Sequence, residues 1–128
     1  MRILLDTHIL LWASTNQLPA KAKEYLKDSD KVLFFSVVSL WEIEIKNRLK
    51  RKDFDVDINE LYYKLCNSGY KELSVESTHV LYLQELPEIH KDPFDRIMVA
   101  QALSEKMPFL TADKVISDYP GSIIYVGR

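Results

Sequence analysis

Four acidic residues could carry chemistry in this chain: Asp6, Glu42, Asp95 and Asp113. Each stands at or near the seam between an apolar run and an expected helix start. The segments read ILLD (residues 3–6), SLWE (39–42), DPFD (92–95) and FLTAD (109–113). In an open α/β sheet the carboxyl ends of parallel strands share one edge. Acids far apart in sequence can therefore meet at one spot. Carboxylates that meet repel one another unless a cation sits among them. Mg²⁺ or Mn²⁺ suits such a cluster, because both prefer oxygen ligands.

Each acid also has a purely structural reading. Ser39 and Glu42 match S-x-x-E, a capping box at a helix start. Asp92 and Pro93 suit an N-cap and a first helical position, with Asp95 in the first turn. Asp113 suits the cap of a short helix beginning at Lys114, and Asp6 suits the cap of a turn after the first strand. The two readings are compatible. A helix N-terminus offers partial positive charge and free N–H groups, which help a carboxylate stay ionised as a metal ligand must. Asp92, three residues before Asp95, could also compete with it for the ligand role.

The elements that must position these acids alternate along the chain. Ile3, Leu4 and Leu5 read as a short buried strand, followed by a turn. Pro19 opens a helical stretch to about Asp28, with Ala22, Tyr25 and Leu26 on one face. Lys31 to Phe35 is a second strand. Val38 to Lys50 reads as a helix with Val38, Trp41, Ile45 and Leu49 on one stripe. Ile58, Leu61, Tyr62, Leu65 and Cys66 give an amphipathic helix stopped by Asn67-Ser68-Gly69. Tyr70 to Leu73 suits a short strand, and Ser77 to Leu86 a helix ended by Pro87. Asp92 to Glu105 is apolar on most sides and should be a central, buried helix. Phe109 to Thr111 and Ile123 to Val126 complete the strands. The alternation predicts an α/β fold, a three-layer α/β/α sandwich with a central, mainly parallel sheet.

Composition removes several classes. The chain has 128 residues, the size of one domain spanning 1–128. It has one cysteine, Cys66, so no intramolecular disulfide forms and thiol-based zinc or iron–sulfur sites are out. A reducing, cytoplasmic setting is the natural expectation. No apolar run approaches the ~18 residues of a membrane span. The opening MRILLDTHILLWA is interrupted by Asp6 and His8, unlike a signal peptide. There is no GxGxxG and no GxxxxGK[ST], which argues against dinucleotide and P-loop sites. The net charge is −2, against a broad nucleic-acid surface but not a local one.

With these residues in view, the chain resembles the PIN domains, and more closely the VapC-like toxins of prokaryotic toxin–antitoxin pairs. The resemblance rests on LLDTHILLW (4–12), SVVSLWEIEIK (36–46), HKDPFDRIMVAQAL (90–103) and FLTAD (109–113), and covers essentially the whole chain. It implies a Mg²⁺- or Mn²⁺-dependent endoribonuclease neutralised by a cognate antitoxin and frequently homodimeric. Residue by residue, it makes Asp6 the first-strand metal ligand and Glu42 the acid after the second strand. Asp95 becomes the acid opening the central helix, and Asp113 the acid after the fourth strand. The family spacing falls on Asp95, and this assigns Asp92 to capping. Thr111 matches a small hydroxyl residue near the same site.

An RNA substrate needs cations. Lys46 lies one helical turn after Glu42 and can face the same groove, and Arg96 stands beside Asp95. Arg48, Lys50, Arg51 and Lys52 either touch RNA backbone or complement the helix dipole in solvent. His79 is expected to be structural. His8 and His90 flank the site, where they could orient ligands, and are given no catalytic role. Trp12, Trp41 and Phe94 are expected in the core or a groove wall rather than as base-stacking platforms. The competing functions are a catalytically silent antitoxin-binding protein and a receiver-like signalling domain. The receiver wants paired acids after the first strand, and only Asp6 follows it here.

Overall fold

The computed structural model describes residues 1–27, 29–49 and 54–127. Five strands form one sheet: β1 (Arg2–Leu5), β2 (Val32–Ser36), β3 (Lys71–Leu73), β4 (Phe109–Thr111) and β5 (Ile123–Tyr125). The strand order is β3-β2-β1-β4-β5, and all four pairings are parallel. Central β1 is buried at Ile3, Leu4 and Leu5, the continuous apolar run of a strand covered on both faces. The order reverses between β1 and β4, and such a switch point places a crevice at the strands' carboxyl ends. It also differs from the 2-1-3-4-5 order of receiver-like folds, which sets that alternative aside.

Six α-helices cover the sheet: α1 (Thr7–Ser14), α2 (Ala20–Lys27), α3 (Val37–Arg48), α4 (Ile58–Asn67), α5 (Ser77–Tyr82) and α6 (Pro93–Ser104). Strand alternation sorts them into layers. Ile3 and Leu5 join one core with Ile9 and Leu10 of α1, Ala22 of α2, and Leu61 and Leu65 of α4. Leu4 points the other way, into a core with Met98, Val99, Ala100 and Ala102 of α6 and Phe109 of β4. Helix α3 touches both cores, through Ile43 and Val38. This is the expected three-layer α/β/α sandwich.

Local sequence explains most boundaries. Asp92 caps α6 through Phe94 N–H at 2.8 Å, and Pro93 takes the first turn. Asp57 caps α4 by accepting from Glu60 N–H, and Gly69 at φ +88° permits the left-handed step after it. The expected helix from Ser77 stays α-helical to Tyr82 and tightens into a 3-10 turn over Leu83–Glu85.

Three expectations are corrected. The apolar stretch after Asp6 is helix α1, not a turn. Only Asp6, Thr7 and His8 separate the strand's apolar run from the helix's, and the extended backbone of Asp6 and its side-chain cap on Thr7 N–H start the helix. Helix α3 starts at Val37, capped by Ser36 through Val38 N–H, so Ser39 and Glu42 lie inside the helix and form no capping box. Its buried face is Val38, Ser39, Glu42 and Ile43, leaving Trp41 62% exposed and Leu49 59% exposed. A sequence stripe took the apolar residues for the core face, but the inward face carries polar residues for the site. The expected extension of α2 to Asp28, that of α3 to Lys50, and the cations Arg51 and Lys52 lie outside the described residues.

Candidate metal centre

Four separate elements bring the acids to the switch-point edge. Asp6 immediately follows β1, Glu42 lies on α3 after β2, Asp95 is in the first turn of α6, and Asp113 follows β4. Asp6, Glu42 and Asp95 are all buried, and Asp113 is half-buried.

A polar frame holds them. Asp6 Oδ1 accepts from Thr7 N–H at 2.7 Å, and Asp6 Oδ2 accepts from the Thr111 hydroxyl at 2.6 Å. The Thr7 hydroxyl donates to Glu42 Oε1 at 2.7 Å and lies 2.8 Å from Ser39 Oγ. Lys46 Nζ pairs with Glu42 Oε2 at 3.4 Å. Asp113 Oδ1 accepts from Val115 N–H, capping a turn that leads to a 3-10 segment at Ile116–Asp118 rather than a helix at Lys114.

His90 closes the frame. Its Nε2 lies 3.1 Å from Asp95 Oδ2 and 3.1 Å from Asp113 Oδ2. Its Nδ1 accepts from Asp92 N–H at 3.1 Å, which leaves the ring's proton on Nε2. That N–H faces the two carboxylates as a donor. One oxygen each of Asp95 and Asp113 and a His90 ring nitrogen lie within 4.8 Å of one another, and the ring could join a metal's ligands only by giving up the Nε2 proton.

The electrostatics show crowding. Burial pushes the Asp95 carboxyl up from 3.8 to about 8, with further contributions from the charges of Asp6, Asp92, Glu42 and Asp113. Burial also raises Asp6 to about 6, against the lowering effect of its bonds from Thr111 and Thr7. The acids therefore converge closely enough that Asp6, Glu42 and Asp113 add to the effect of burial in opposing ionisation of Asp95. An oxygen-rich, anionic and partly desolvated donor set suits a hard divalent cation, whose charge offsets that penalty.

The other candidates take different places. Lys46 stays at the edge of the cluster beside Glu42. Arg96 turns away: it donates to Pro87 O at 2.9 Å and to the Tyr119 hydroxyl at 3.2 Å, and pairs with Glu88. His79 is fully buried, with Nε2 2.7 Å from Glu105 Oε2. The sequence singles out neither Thr7 nor a site role for Ser39, which it offers only as a helix cap, whereas His90 takes the ligand-orienting place open to it. The signal for Thr7 was its place directly after Asp6. That for His90 was its spacing two residues before the α6 cap.

The chain matches the PIN domain profile over residues 3–122. It belongs to the PIN domain family. Solved structures agree at the level of fold. A VapBC2 complex from Rickettsia felis bound to a promoter DNA fragment matches this PIN domain with TM-score 0.70 and 17% identity, covering 100% of this chain and 99% of that one. A DNA-bound VapBC from Salmonella typhimurium gives TM-score 0.68 and 14% identity, covering 97% and 96%. VapBC-5 of Mycobacterium tuberculosis, a member of the VapBC family of toxin–antitoxin systems, gives 0.61 and 21%, covering 98% of both chains. Comparison with curated protein sequences gives no significant match.

Proposed function

We propose that this PIN domain is a metal-dependent endoribonuclease, the toxin of a toxin–antitoxin pair. The observation that carries the reading is the Asp95 carboxyl. It is pushed up to about 8 at a strand-end edge where Asp6, Glu42 and Asp113 also point. A carboxyl perturbed by burial and by specific charged neighbours, at the edge where a crevice forms, is a candidate functional group. The PIN family membership and the fold shared with VapBC structures support the same reading.

Asp6, Glu42, Asp95 and Asp113 would hold Mg²⁺ or Mn²⁺, with Thr111 orienting Asp6. A divalent ion there makes water a better nucleophile and offsets the charge developing on a phosphate. The protein's part is positioning. Thr7 ties Asp6 and Glu42 together, one through its backbone N–H and the other through its hydroxyl. His90 ties Asp95 to Asp113. Lys46 moderates the negative field beside Glu42 and lies where a phosphate of the RNA strand would approach. Arg96 is committed to the Pro87–Tyr119 corner and serves the fold. A cognate antitoxin and a second copy of the chain are the partners that fit this reading, by analogy with the VapBC complexes.

The test is cleavage of labelled structured RNA by the purified protein in Mg²⁺, Mn²⁺ or EDTA, beside Asp95→Asn. Metal-dependent cleavage lost in the variant is the expected result. Absence of cleavage across transfer and ribosomal RNAs, with a bound ion demonstrated by titration, would leave a silent antitoxin-binding protein instead. Equal cleavage by both proteins would refute the site assignment.

A further inference from the structure

Several grooves open among the described residues; those lined by Tyr25 with Lys21, Glu24 and Lys31, and by Ser14, Lys64 and Tyr70, share no residue with the acidic cluster, and three others are separated by their linings. One is wholly apolar, walled by Val37, Trp41, Val75, Val80 and Leu83, and unsuited to a strand that carries a charge at every nucleotide. A second sets Asp55, Asp57 and Glu60 against Lys64 alone, a net negative wall for phosphate. The third opens beside the acidic cluster and is lined by His8, Trp12, Ala112, Asp113, Lys114 and Tyr125. Asp113 belongs to both the groove and the cluster, so the two are continuous.

This third groove combines aromatic faces with a cation. His8 and Trp12 stand one helical turn apart on α1, with ring centroids 6.0 Å apart. Tyr125 reaches in from the end of β5. Its phenol lies across Gly127, where an added Cβ would stand 2.2 Å from the hydroxyl, so the glycine makes room for the ring. Lys114 is exposed directly after Asp113. The space is ≈ 410 Å³, within the range of small-ligand clefts.

We propose that this groove is a nucleotide subsite, seating one base of the RNA strand next to the scissile phosphate. The base stacks on Trp12 and Tyr125, and the Lys114 ammonium meets the backbone phosphate. Stacking on aromatic faces tolerates any base, so the subsite contributes affinity and register with little sequence preference. The proposal rests on the nuclease reading and adds the place where the strand is gripped.

The test uses full-length Asp95→Asn, to prevent cleavage, with Trp41→Phe so that Trp12 is the only tryptophan. The probe is a ten-nucleotide single-stranded RNA in Mg²⁺, followed by a series with one abasic position each. Binding is read for every protein from the anisotropy of the fluorescein-labelled RNA, and in the proteins that keep Trp12 it also quenches tryptophan fluorescence. Tyr125→Ala and Trp12→Ala each weaken binding about tenfold, the scale of one lost base stack, while Trp12→Phe retains most of it. One abasic position weakens binding comparably in the parent and adds little in Trp12→Ala. Thermal unfolding checks that each variant folds, and Tyr125→Ala at the exposed rim guards against a packing defect at Trp12. RNA binding without quenching, with both alanine variants within about twofold of the parent, overturns the subsite and leaves the nuclease standing. No RNA binding, together with no cleavage by the unmodified protein, overturns both.

Discussion

Replacing Asp95 by Asn should stabilise the metal-free protein, and the gain should grow with pH. The folded-state pKa of Asp95 is about 8, against 3.8 for an ordinary Asp. A carboxyl raised in this way contributes its stability fully below the unfolded value. It loses that contribution as pH rises through the folded value. Below about pH 4 wild type and variant therefore differ little, because the carboxyl is neutral in both folded and unfolded chains. Above about pH 8 the wild type carries an ionised carboxylate among its neighbours and the amide does not. The full shift converts to at most about 6 kcal/mol, at 1.36 kcal/mol per unit. The side chain keeps 11% exposure, and its repulsion is shared with Asp6, so a working figure is about 2–3 kcal/mol. For a chain of this length that is a rise in Tm of roughly 10 °C. The assay is thermal unfolding in EDTA across the pH range. Saturating Mn²⁺ should reverse the order, because an ion that binds the folded wild type more tightly stabilises it by mass action. A gap that stays constant with pH, or a variant less stable than wild type near pH 9 in EDTA, would refute the crowding argument.

Further expectations follow from the polar frame. Ser36→Ala removes the α3 cap and strips Gln101 Oε1 of its 2.6 Å partner, and should cost about 1–3 kcal/mol in urea unfolding without changing the slope. Thr7→Val should weaken Mn²⁺ binding in calorimetry by about tenfold, since hydrogen bonds that orient a metal-ligating carboxylate are worth roughly 10–100-fold, whereas Thr7→Ser should keep most of it. His90→Gln, which retains an N–H donor, should bind Mn²⁺ better than His90→Ala. Equal affinities would show that the contact to Asp95 and Asp113 is idle.

The legible parts of the fold were those where one local signal acted alone. Asp92-Pro93 announces the start of α6, and Gly69 announces the end of α4. Helix α1 was hidden because only the short break Asp6-Thr7-His8 parts two apolar runs, so period could not separate strand from helix. Helix α3 misled for the opposite reason. Its inward face carries Ser39 and Glu42, while Trp41 and Leu49 point outward, so the hydrophobic stripe marked the wrong side. The four acids were readable as candidates, but their convergence depends on which strands neighbour β1, and no local pattern encodes that.

The site is built by its neutral groups as much as by its acids. Both oxygens of Asp6 accept from hydroxyl or N–H donors, and Glu42 is held by Thr7 and Lys46. Each carboxylate oxygen has further lone-pair capacity, so these bonds fix direction without exhausting the ligand. The donors also lower the cost of holding Asp6 ionised, which burial alone would raise further. Asp95 lacks a comparable pair of backbone or hydroxyl donors and faces His90 instead, and it is the acid whose pKa climbs furthest. The frame thus concentrates the unmet demand for positive charge at one carboxylate, between Asp6 and Asp113. A cation entering the crevice gains most by arriving there, which is why Asp95, rather than the more deeply buried Asp6, is the residue whose neutralisation should separate metal binding from folding.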